Sequence, residues 1–214
     1  QKHLLSTKNV LGGIVRVVLA SRNPDKLDEL EPMLSPLGLT LESQAQHDVP
    51  SPAETGTTFV ENAIIKARTV AIATSLPAVA DDSGIVVPLL GGAPGIYSAR
   101  FAREGASDRE NNDKLVSSIA EFTNPVRAYY FCAIVFFSNA EDPAPLIATA
   151  AWHGTLLQEP RGANGFGYDP YFVPDGFNIT SAELSPEEKN RISHRGLACN
   201  QLIVQLQDQR QGQS

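Results

Sequence analysis

Apolar and polar residues follow two different periods along this chain, and together they predict a mixture of strands and helices. Four runs rich in apolar or β-branched residues predict buried strands, at 14–20, 77–80, 128–137 and 146–152. Helical spacing predicts helices after Asn23, from about Thr58, at about 107–121 and at about 194–207. The polar stretch 42–57, with its prolines, predicts a loop. Since strands and helices intermix, the predicted fold class is α/β or mixed α+β.

Residue types that begin helices mark two of the predicted helix starts. Asn23 followed by Pro24 combines a favoured N-cap residue with a favoured first helical residue. Thr58 and Glu61 have the spacing of a capping box, in which two residues cap the helix start reciprocally. Pro32 interrupts the first helical pattern, so we expect it to bend or shorten that helix.

Composition limits the domain organisation and the class of partner. The pattern contains no linker, so the 214 residues predict one domain over 14–208, with a leader or remnant at 1–13 and a flexible tail at 209–214. A net charge of −7 argues against a protein that grips nucleic acid by its backbone. No apolar run approaches the ~20 residues that cross a bilayer, so no membrane span is expected. Two cysteines are too few for a disulfide framework and favour an intracellular, cytoplasmic setting.

Two adjacent acids, Asp81 and Asp82, end an apolar run and are followed by Ser83, Gly84 and further apolar residues. Neighbouring carboxylates repel each other, and burial increases the free-energy cost. A divalent cation such as Mg²⁺, bound together with substrate phosphate oxygens, would relieve both effects. Two alternatives stay open: a carboxyl pair that shares one proton, or an exposed Asp-Ser-Gly turn.

Three other segments suit a phosphorylated ligand that carries a ring. Ser21, Asn23 and Lys26 surround a helix start that would attract phosphate, although Asn23 could merely cap the helix and Lys26 lie in solvent. Glycines around Phe166 can present an aromatic face to a base, with Asp169 for its edge, although aromatic residues beside glycine often only pack. The densest basic cluster, for which a solvated surface is the alternative, contains Lys189, Arg191, His194 and Arg195.

Six segments, in this order, resemble the motifs of the inosine triphosphate pyrophosphatase family: SRNPDK, ETGTTFVENAIIKA, ADDSG, GGAPGIYSAR, GFGYDP and EEKNRISHRG. The resemblance extends from Val15 to about Leu206. It implies a long mixed β-sheet flanked by helices, in two lobes around a central cleft, and a homodimer. It also implies Mg²⁺-dependent hydrolysis of noncanonical purine nucleoside triphosphates (ITP, dITP and XTP) to the monophosphate and pyrophosphate.

The resemblance also implies a role for each matching residue. The loop that holds the triphosphate matches Ser21, Arg22, Asn23, Pro24, Asp25 and Lys26. Glu54 and Asp82 match the acids that bind Mg²⁺, Asp82 also matches the catalytic base, and Lys66 is expected to reach the phosphates. The residues that match other substrate and base contacts are Ser83, Phe166, Gly167, Tyr168, Asp169, Lys189, His194 and Arg195.

Two positions depart from the family pattern. Arg22 stands where many relatives carry glycine, which predicts a stiffer phosphate loop. Ala53 stands where relatives often carry a second acid, so Glu61 is an alternative ligand for the metal.

Arg195, as a hydrogen-bond donor, would suit the 6-oxo group of hypoxanthine or xanthine and would mismatch the 6-amino group of adenine.

Three other functions compete with this one. A related pyrophosphatase of the septum-inhibition type would act on pyrimidine or modified nucleotides, which a substrate panel separates. A nucleotide-binding sensor would bind its ligand tightly without forming product. A nucleic-acid-binding role, which the net charge disfavours, would show as salt-sensitive DNA binding.

Overall fold

Six strands form one mixed sheet in the structure, a computed structural model that describes residues 15–123 and 125–211. They are β1 (Val15–Leu19), β2 (Leu39–Ser43), β3 (Ala78–Val86), β4 (Val126–Phe137), β5 (Leu146–Leu156) and β6 (Phe172–Pro174). Their order is β2-β1-β3-β4-β5-β6, with β2, β1 and β3 parallel and the later neighbours antiparallel. The expected pairing of β4 with β5 is confirmed. The leader predicted at 1–13 lies outside the described residues.

Within the described residues, five α-helices flank the sheet: α1 (Pro24–Leu34), α2 (Phe59–Thr74), α3 (Asp108–Ile119), α4 (Pro186–Ile192) and α5 (His194–Gln211). The predicted helix starts are confirmed, because Asn23 caps α1 and a capping box of Thr58 and Glu61 begins α2. Pro32 was expected to bend or shorten α1; it does not end the helix, which continues to Leu34, and the bend stays a prediction. Helix α5 also continues beyond its predicted end at 207.

Three apolar clusters divide the molecule into two lobes. One cluster packs α1 and α5 against one face of β1 and β3, with Leu30 and Leu202 fully buried. A second cluster packs α2 against the other face, around Ala67 and Val70. The third lies toward the opposite ends of β4 and β5, where α3 contributes Leu115. The first two clusters form one lobe and the third forms the other, so β4 and β5 run through both lobes.

Strand β3 extends far beyond its parallel neighbour β1, and this difference in length opens a cleft. Strand β1 pairs with only the first two residues of β3. Further along, the 3₁₀ segment Gly95–Arg100 covers the same edge, where Ser98 Oγ accepts a hydrogen bond from Ile85 N at 2.9 Å. Between β1 and this 3₁₀ segment, the backbone of residues 81–84 faces the space between the lobes.

Two sequence expectations are wrong near this cleft. The loop predicted at 42–57 begins with the last two residues of β2 and a 3₁₀ segment, Gln44–His47. Strand β2 was not predicted because it is short and ends in polar residues. The strand predicted at 77–80 is also longer than expected, because β3 runs without interruption from Ala78 to Val86, which excludes the alternative of an Asp-Ser-Gly turn. The acid doublet therefore lies in the middle of a strand.

Replacing Gly84 with alanine tests the close approach of the 3₁₀ segment to β3. A Cβ atom on Gly84 would lie 2.3 Å from Ser98 Oγ and 2.6 Å from the carbonyl oxygen of Gly95. We expect Gly84→Ala to lower the free energy of unfolding by about 1–3 kcal/mol, as overpacking does in buried sites. Urea unfolding followed by circular dichroism measures the change, and an unaltered midpoint would contradict this packing.

Candidate active site

The acid doublet is divided between the two faces of β3, because successive side chains of a strand point to opposite faces. Asp81 forms ion pairs with Lys26 and Arg195, whereas Asp82 forms one with Lys66. Neither a proton shared by the two carboxylates nor a cation bound by both of them fits this division. The two acids therefore have separate environments and separate roles.

Asp81 is fully buried, and donors surround its carboxylate. Lys26 Nζ lies 2.6 Å from Oδ1, and Arg195 Nε lies 2.8 Å from Oδ2. Ser83 Oγ donates to Oδ1 at 2.8 Å, and Cys132 Sγ donates to Oδ2 at 3.1 Å. Burial alone would raise the pKa of Asp81, but Arg195 and Lys26 outweigh burial and hold that pKa well below 3.8. Asp81 is thus a permanent anion that organises its neighbours.

Asp82 belongs to a second group of charges on the α2 side of the cleft. Lys66 Nζ lies 2.5 Å from Asp82 Oδ1 and 3.4 Å from Glu54 Oε1. Arg100, from the 3₁₀ segment, places Nη1 2.7 Å from Glu54 Oε2. Burial raises the pKa of Asp82 more than Lys66 lowers it. Burial would lower the pKa of Lys66, but Asp82 and Glu54 outweigh it, so Lys66 stays cationic beside an unusually basic carboxylate.

One carboxylate oxygen of Asp82 has no partner in the structure. Oδ2 of Asp82 is buried and has no hydrogen-bond partner among the described residues. A buried polar atom without a partner costs free energy unless water, an ion or a ligand supplies one. Among all the residues that the structure describes, no group of three or more His, Cys, Asp or Glu side chains could hold a metal. Asp82 and Glu54 nevertheless suit Mg²⁺, which binds one or two carboxylates and takes its other ligands from water and phosphate.

Two lysines meet at the open edge of β3. Lys26 Nζ and Lys66 Nζ donate to the carbonyl oxygen of Asp81 at 3.1 and 3.0 Å. Lys26 comes from the first turn of α1 and Lys66 from α2, so the two side chains approach from opposite faces of the sheet. Their positive charge therefore lies beside the N-terminus of α1, whose free N–H groups also attract phosphate.

The segment before α1 forms a tight turn that is tied to its surroundings. Asn23 Oδ1 accepts a hydrogen bond from Asp25 N at 2.9 Å, and Ser21 Oγ accepts one from Asn23 N at 3.1 Å. Arg22 donates to the carbonyl oxygen of Val49 at 3.2 Å, which anchors the loop as a glycine could not. The capping role of Asn23 is therefore confirmed, while contact of this loop with phosphate stays a prediction.

A cavity between the lobes brings together all eight residues predicted to make the other substrate and base contacts. Its lining includes Asn23, Lys26, Ser83, Phe166, Gly167, Tyr168, Asp169, Lys189, His194 and Arg195. The imidazole of His194 stacks on the ring of Tyr130, with 4.6 Å between centroids and 9° between planes. Burial, helped by the charge of Arg195, holds the pKa of His194 well below 6.5, so this ring is neutral at pH 7. The cavity thus has flat walls as well as charged groups.

Asp169 holds the glycine-rich loop together from the inside. Its Oδ2 accepts hydrogen bonds from Phe166 N at 3.0 Å and from Lys189 Nζ at 2.7 Å. Its Oδ1 accepts one from Ser181 Oγ at 2.9 Å. The loop and its supports therefore occupy both carboxylate oxygens, and contact of Asp169 with the edge of a base stays a prediction.

Glu29, which the motif analysis missed, joins two of the predicted basic residues. Its carboxylate pairs with Lys189 Nζ at 2.9 Å and with Arg195 Nη1. Lys189 and Arg195 are only 4% and 2% exposed, so a solvated surface does not describe them. The available signal was the position of Glu29 three residues after Lys26, on the same face of a predicted helix.

Glu61 does not join the acids expected to bind metal. Its Oε2 accepts hydrogen bonds from the backbone and hydroxyl groups of Thr57 and Thr58, at 2.7–3.1 Å. This carboxylate caps α2 through Oε2, so the idea that Glu61 replaces the acid missing at Ala53 stays a prediction. In the structure, Glu54 forms ion pairs with Lys66 and Arg100, which balance its charge.

Fold and cleft together define a class of protein: a two-lobed, mixed-sheet α/β protein whose cleft is built for a phosphorylated ligand that carries a flat ring. The chain belongs to the Ham1 family, which matches residues 17–205. Among the described residues, no helix has the length and apolar character needed to cross a membrane.

Relatives match the chain over nearly its whole length. The dITP/XTP pyrophosphatase of Shewanella oneidensis is 48% identical over 193 residues, covering 90% of this chain and 94% of that protein. The dITP/XTP pyrophosphatase of Escherichia coli K12 is 47% identical over 194 residues, covering 90% and 98%. The solved structure of a HAM1 protein from Coxiella burnetii, 46% identical, superposes with a TM-score of 0.84 and covers 91% and 99%. The family and the two-lobed fold implied by the motifs are thereby confirmed.

Replacing Asp81 with asparagine tests its structural role. The change removes the buried charge that pairs with both Arg195 and Lys26 and leaves Arg195 with Glu29 alone, so we expect the free energy of unfolding at pH 7 to fall by about 3–5 kcal/mol. Because the folded protein holds the pKa of Asp81 below 3.8, this contribution is complete above that pH and is lost as the pH falls toward the lowered value. Denaturant unfolding of both proteins measures the difference.

A matched control is Asp175→Asn, which breaks an exposed ion pair with Arg127. That change should cost no more than about 1 kcal/mol, as is typical of surface pairs. Equal losses in the two variants would show that Asp81 contributes no more than a surface carboxylate.

Proposed function

We propose that this protein hydrolyses the noncanonical purine nucleoside triphosphates ITP, dITP and XTP to the monophosphate and pyrophosphate. Relatives named dITP/XTP pyrophosphatase, 47–48% identical across 90% of the chain, support this substrate class. The observation that carries the proposal is the convergence of Lys26, Lys66 and Asp82 on the open edge of β3, beside the flat-walled cavity. A triphosphate bound at the lysines would leave its base within reach of the cavity.

The balance of charges in the cleft supports a requirement for a divalent cation. Five cationic side chains pair with five carboxylates: Lys26, Lys66, Arg100, Lys189 and Arg195 with Glu29, Glu54, Asp81, Asp82 and Asp169. These groups have no net charge, so a triphosphate would bring several uncompensated negative charges into a partly buried place. Mg²⁺ commonly accompanies triphosphates in protein sites.

Glu54 and Asp82 are the residues that would hold Mg²⁺, and Oδ2 of Asp82 is the atom that needs a partner. When bound, the ion neutralises phosphate charge and makes the attacked phosphorus more electrophilic. Lys26 and Lys66 add positive charge that is already in position before the reaction. Such preorganised charge stabilises the transition state without reorganisation during the chemical step.

Asp82 provides the base in this proposal. Because burial outweighs the attraction of Lys66 and raises its pKa, the carboxylate accepts a proton more readily than an exposed aspartate. A water molecule beside the Asp82 carboxylate gives its proton to this carboxylate and attacks the α-phosphorus. The bond between this phosphorus and the bridging oxygen breaks, and pyrophosphate leaves with its developing charge stabilised by Lys26 and Lys66.

The cavity would provide selectivity for 6-oxo purines. Arg195 already donates hydrogen bonds to Asp81, Glu29 and Ser83, so its guanidinium is fixed before a base arrives. A guanidinium has five N–H groups and no acceptor. A 6-oxo group can therefore accept from it, whereas the 6-amino group of adenine would leave a hydrogen bond unmade at a cost of about 1–3 kcal/mol.

A homodimer in the cytoplasm is part of the same proposal. An apolar groove supports the dimer: it is lined in part by Phe59, Tyr129 and Phe131, and by Tyr97, whose side chain is more than half exposed. Exposed apolar surface of this kind is often covered by a protein partner. The cytoplasm is the expected compartment because nucleoside triphosphates are available there.

A panel of nucleoside triphosphates with Mg²⁺ and a pyrophosphate readout tests the proposed activity. ITP, dITP and XTP should react much faster than ATP and the pyrimidine nucleotides. Asp82→Asn removes the proton acceptor, so we expect kcat for ITP to fall by roughly 10²–10⁴-fold while the circular dichroism spectrum is unchanged. Glu141→Gln, an exposed change in the β4–β5 loop, is the control and should retain full activity.

Each alternative has its own outcome in this panel. Release of orthophosphate would mean that a different bond is cut, and a preference for pyrimidine nucleotides would indicate the septum-inhibition type. Tight binding without product would indicate a sensor. Normal turnover by the Asp82 variant would remove this residue from the mechanism.

Glu54→Gln tests the second proposed ligand of Mg²⁺. Loss of one anionic ligand should raise the Mg²⁺ concentration required for half-maximal rate by about tenfold or more. Glu104→Gln is a matched control, because Glu104 also faces Arg100, at 3.9 Å, but is 90% exposed. Titration of both variants with Mg²⁺ at saturating ITP gives the comparison, and an equal Mg²⁺ requirement in both would exclude Glu54 as a ligand.

A further inference from the structure

Helix α3 grips the aromatic loop, residues 164–169, through both backbone polar groups of one glycine. Asp108 Oδ2 accepts a hydrogen bond from Gly167 N at 2.6 Å. Asn112 Nδ2 donates one to the carbonyl oxygen of Gly167 at 2.9 Å. Asp108 and Asn112 are four residues apart and so lie on one face of the helix. We call this pair of residues the α3 clamp.

The clamp acts where the aromatic loop has the greatest conformational freedom. Gly165 and Gly167, on either side of Phe166, have φ values of 73° and 62°. Glycine loses more conformational freedom on folding than any other residue. A Cβ atom added to Gly167 would meet no heavy atom within 4 Å, so the space beside its Cα is open. The two hydrogen bonds from α3 restrain Gly167 itself, while Asp169 holds the neighbouring Phe166 N.

Helix α3 is itself a rigid support. Leu115 and Ile119 are buried in the apolar cluster of the second lobe. Asn111 accepts a hydrogen bond from Ala102 N at 2.9 Å and donates one to the carbonyl oxygen of Ala99 at 3.1 Å, which fixes the helix to the segment around 99–102. Asp108 lies in the first turn, where the helix dipole favours a carboxylate and strengthens its role as acceptor.

We propose that Asp108 and Asn112 are positioning residues that determine how well the site binds and selects the base, without acting on the triphosphate. Their contact reaches Phe166 through the neighbouring Gly167. Lys189 Nζ and Arg195 Cζ lie 5.0 and 5.5 Å from the centroid of the Phe166 ring, so a displaced loop would also separate the ring from these cations. This role rests on the proposed function, because it assumes that a purine is the ligand of the cavity.

Kinetic measurements with a ligand that carries a purine base, and with one that has none, separate this positioning role from a general structural role. Asp108→Ala and Asn112→Ala should each raise KM for ITP about tenfold, since stacking of a base on an aromatic ring is a substantial part of its binding. The kcat value should change by less than about twofold, and the preference for ITP over ATP should decrease. The inhibition constant of inorganic tripolyphosphate, which has no base, should stay at its wild-type value.

Conservative and control variants sharpen the test. Asp108→Asn retains an acceptor oxygen and should restore most of the ITP affinity. Asp113→Ala removes an exposed side chain of the same helix, 68% accessible, and should leave KM unchanged. Because both clamp residues hold one glycine, the double alanine variant should raise KM by less than the product of the two single effects.

Amide hydrogen exchange provides a readout that does not depend on hydrolysis. In the clamp variants, the amides of Phe166 and Gly167 should exchange faster while α3 and the sheet keep their wild-type protection. Faster exchange with an unchanged KM, or an equal loss of tripolyphosphate affinity, would overturn the positioning role. If the wild-type protein hydrolyses no ITP, the proposed function fails, and unchanged exchange would separately exclude the clamp itself.

Discussion

The buried carboxylate of Asp81 is the constraint on which the rest of the site depends. It joins β3 to Lys26 on α1, 55 residues away in sequence, and to Arg195 on α5, 114 residues away. A buried charge is tolerated only when it is paired and hydrogen-bonded, so one side chain constrains both helices relative to β3, in addition to their apolar packing. Displacement of either helix would leave an uncompensated charge inside the protein.

From Asp81 the ion pairs continue toward the aromatic loop. Arg195 also binds Glu29, Glu29 binds Lys189, and Lys189 binds Asp169, which holds the loop through Phe166 N. Such a network is an inefficient source of stability, because well-packed apolar residues often perform as well or better. Under the proposed function its value lies in preorganisation, since cations that are already held in place would meet a ligand without further rearrangement. The groups that maintain the fold would then also be those that face the ligand.

The sequence predicted the features that depend on neighbouring residues. Helix caps, long apolar strands and the glycine-rich loop all have local signals, and the motif resemblance supplied the residues of the site. It did not predict contacts between distant residues, such as the pair of Glu29 and Arg195, 166 residues apart, or the pair of Arg100 and Glu54 across the cleft. The polar residues after Ala80 also hid the length of β3, because this strand continues through Asp82 to Val86 with cations compensating the buried charge.

The alternation of a single strand explains why the two adjacent acids differ in chemistry. Asp81 faces two cations and has a lowered pKa, whereas Asp82, on the opposite face, shares Lys66 with Glu54 and has a raised pKa. A permanent anion and a proton acceptor therefore stand one residue apart, with the carbonyl of Asp81 drawing a lysine from each side of the sheet. A shift of one residue along β3 would exchange the two faces and place each acid among the wrong partners. Under the proposed function, the register of β3 with β4 would accordingly be a catalytic constraint as well as a structural one.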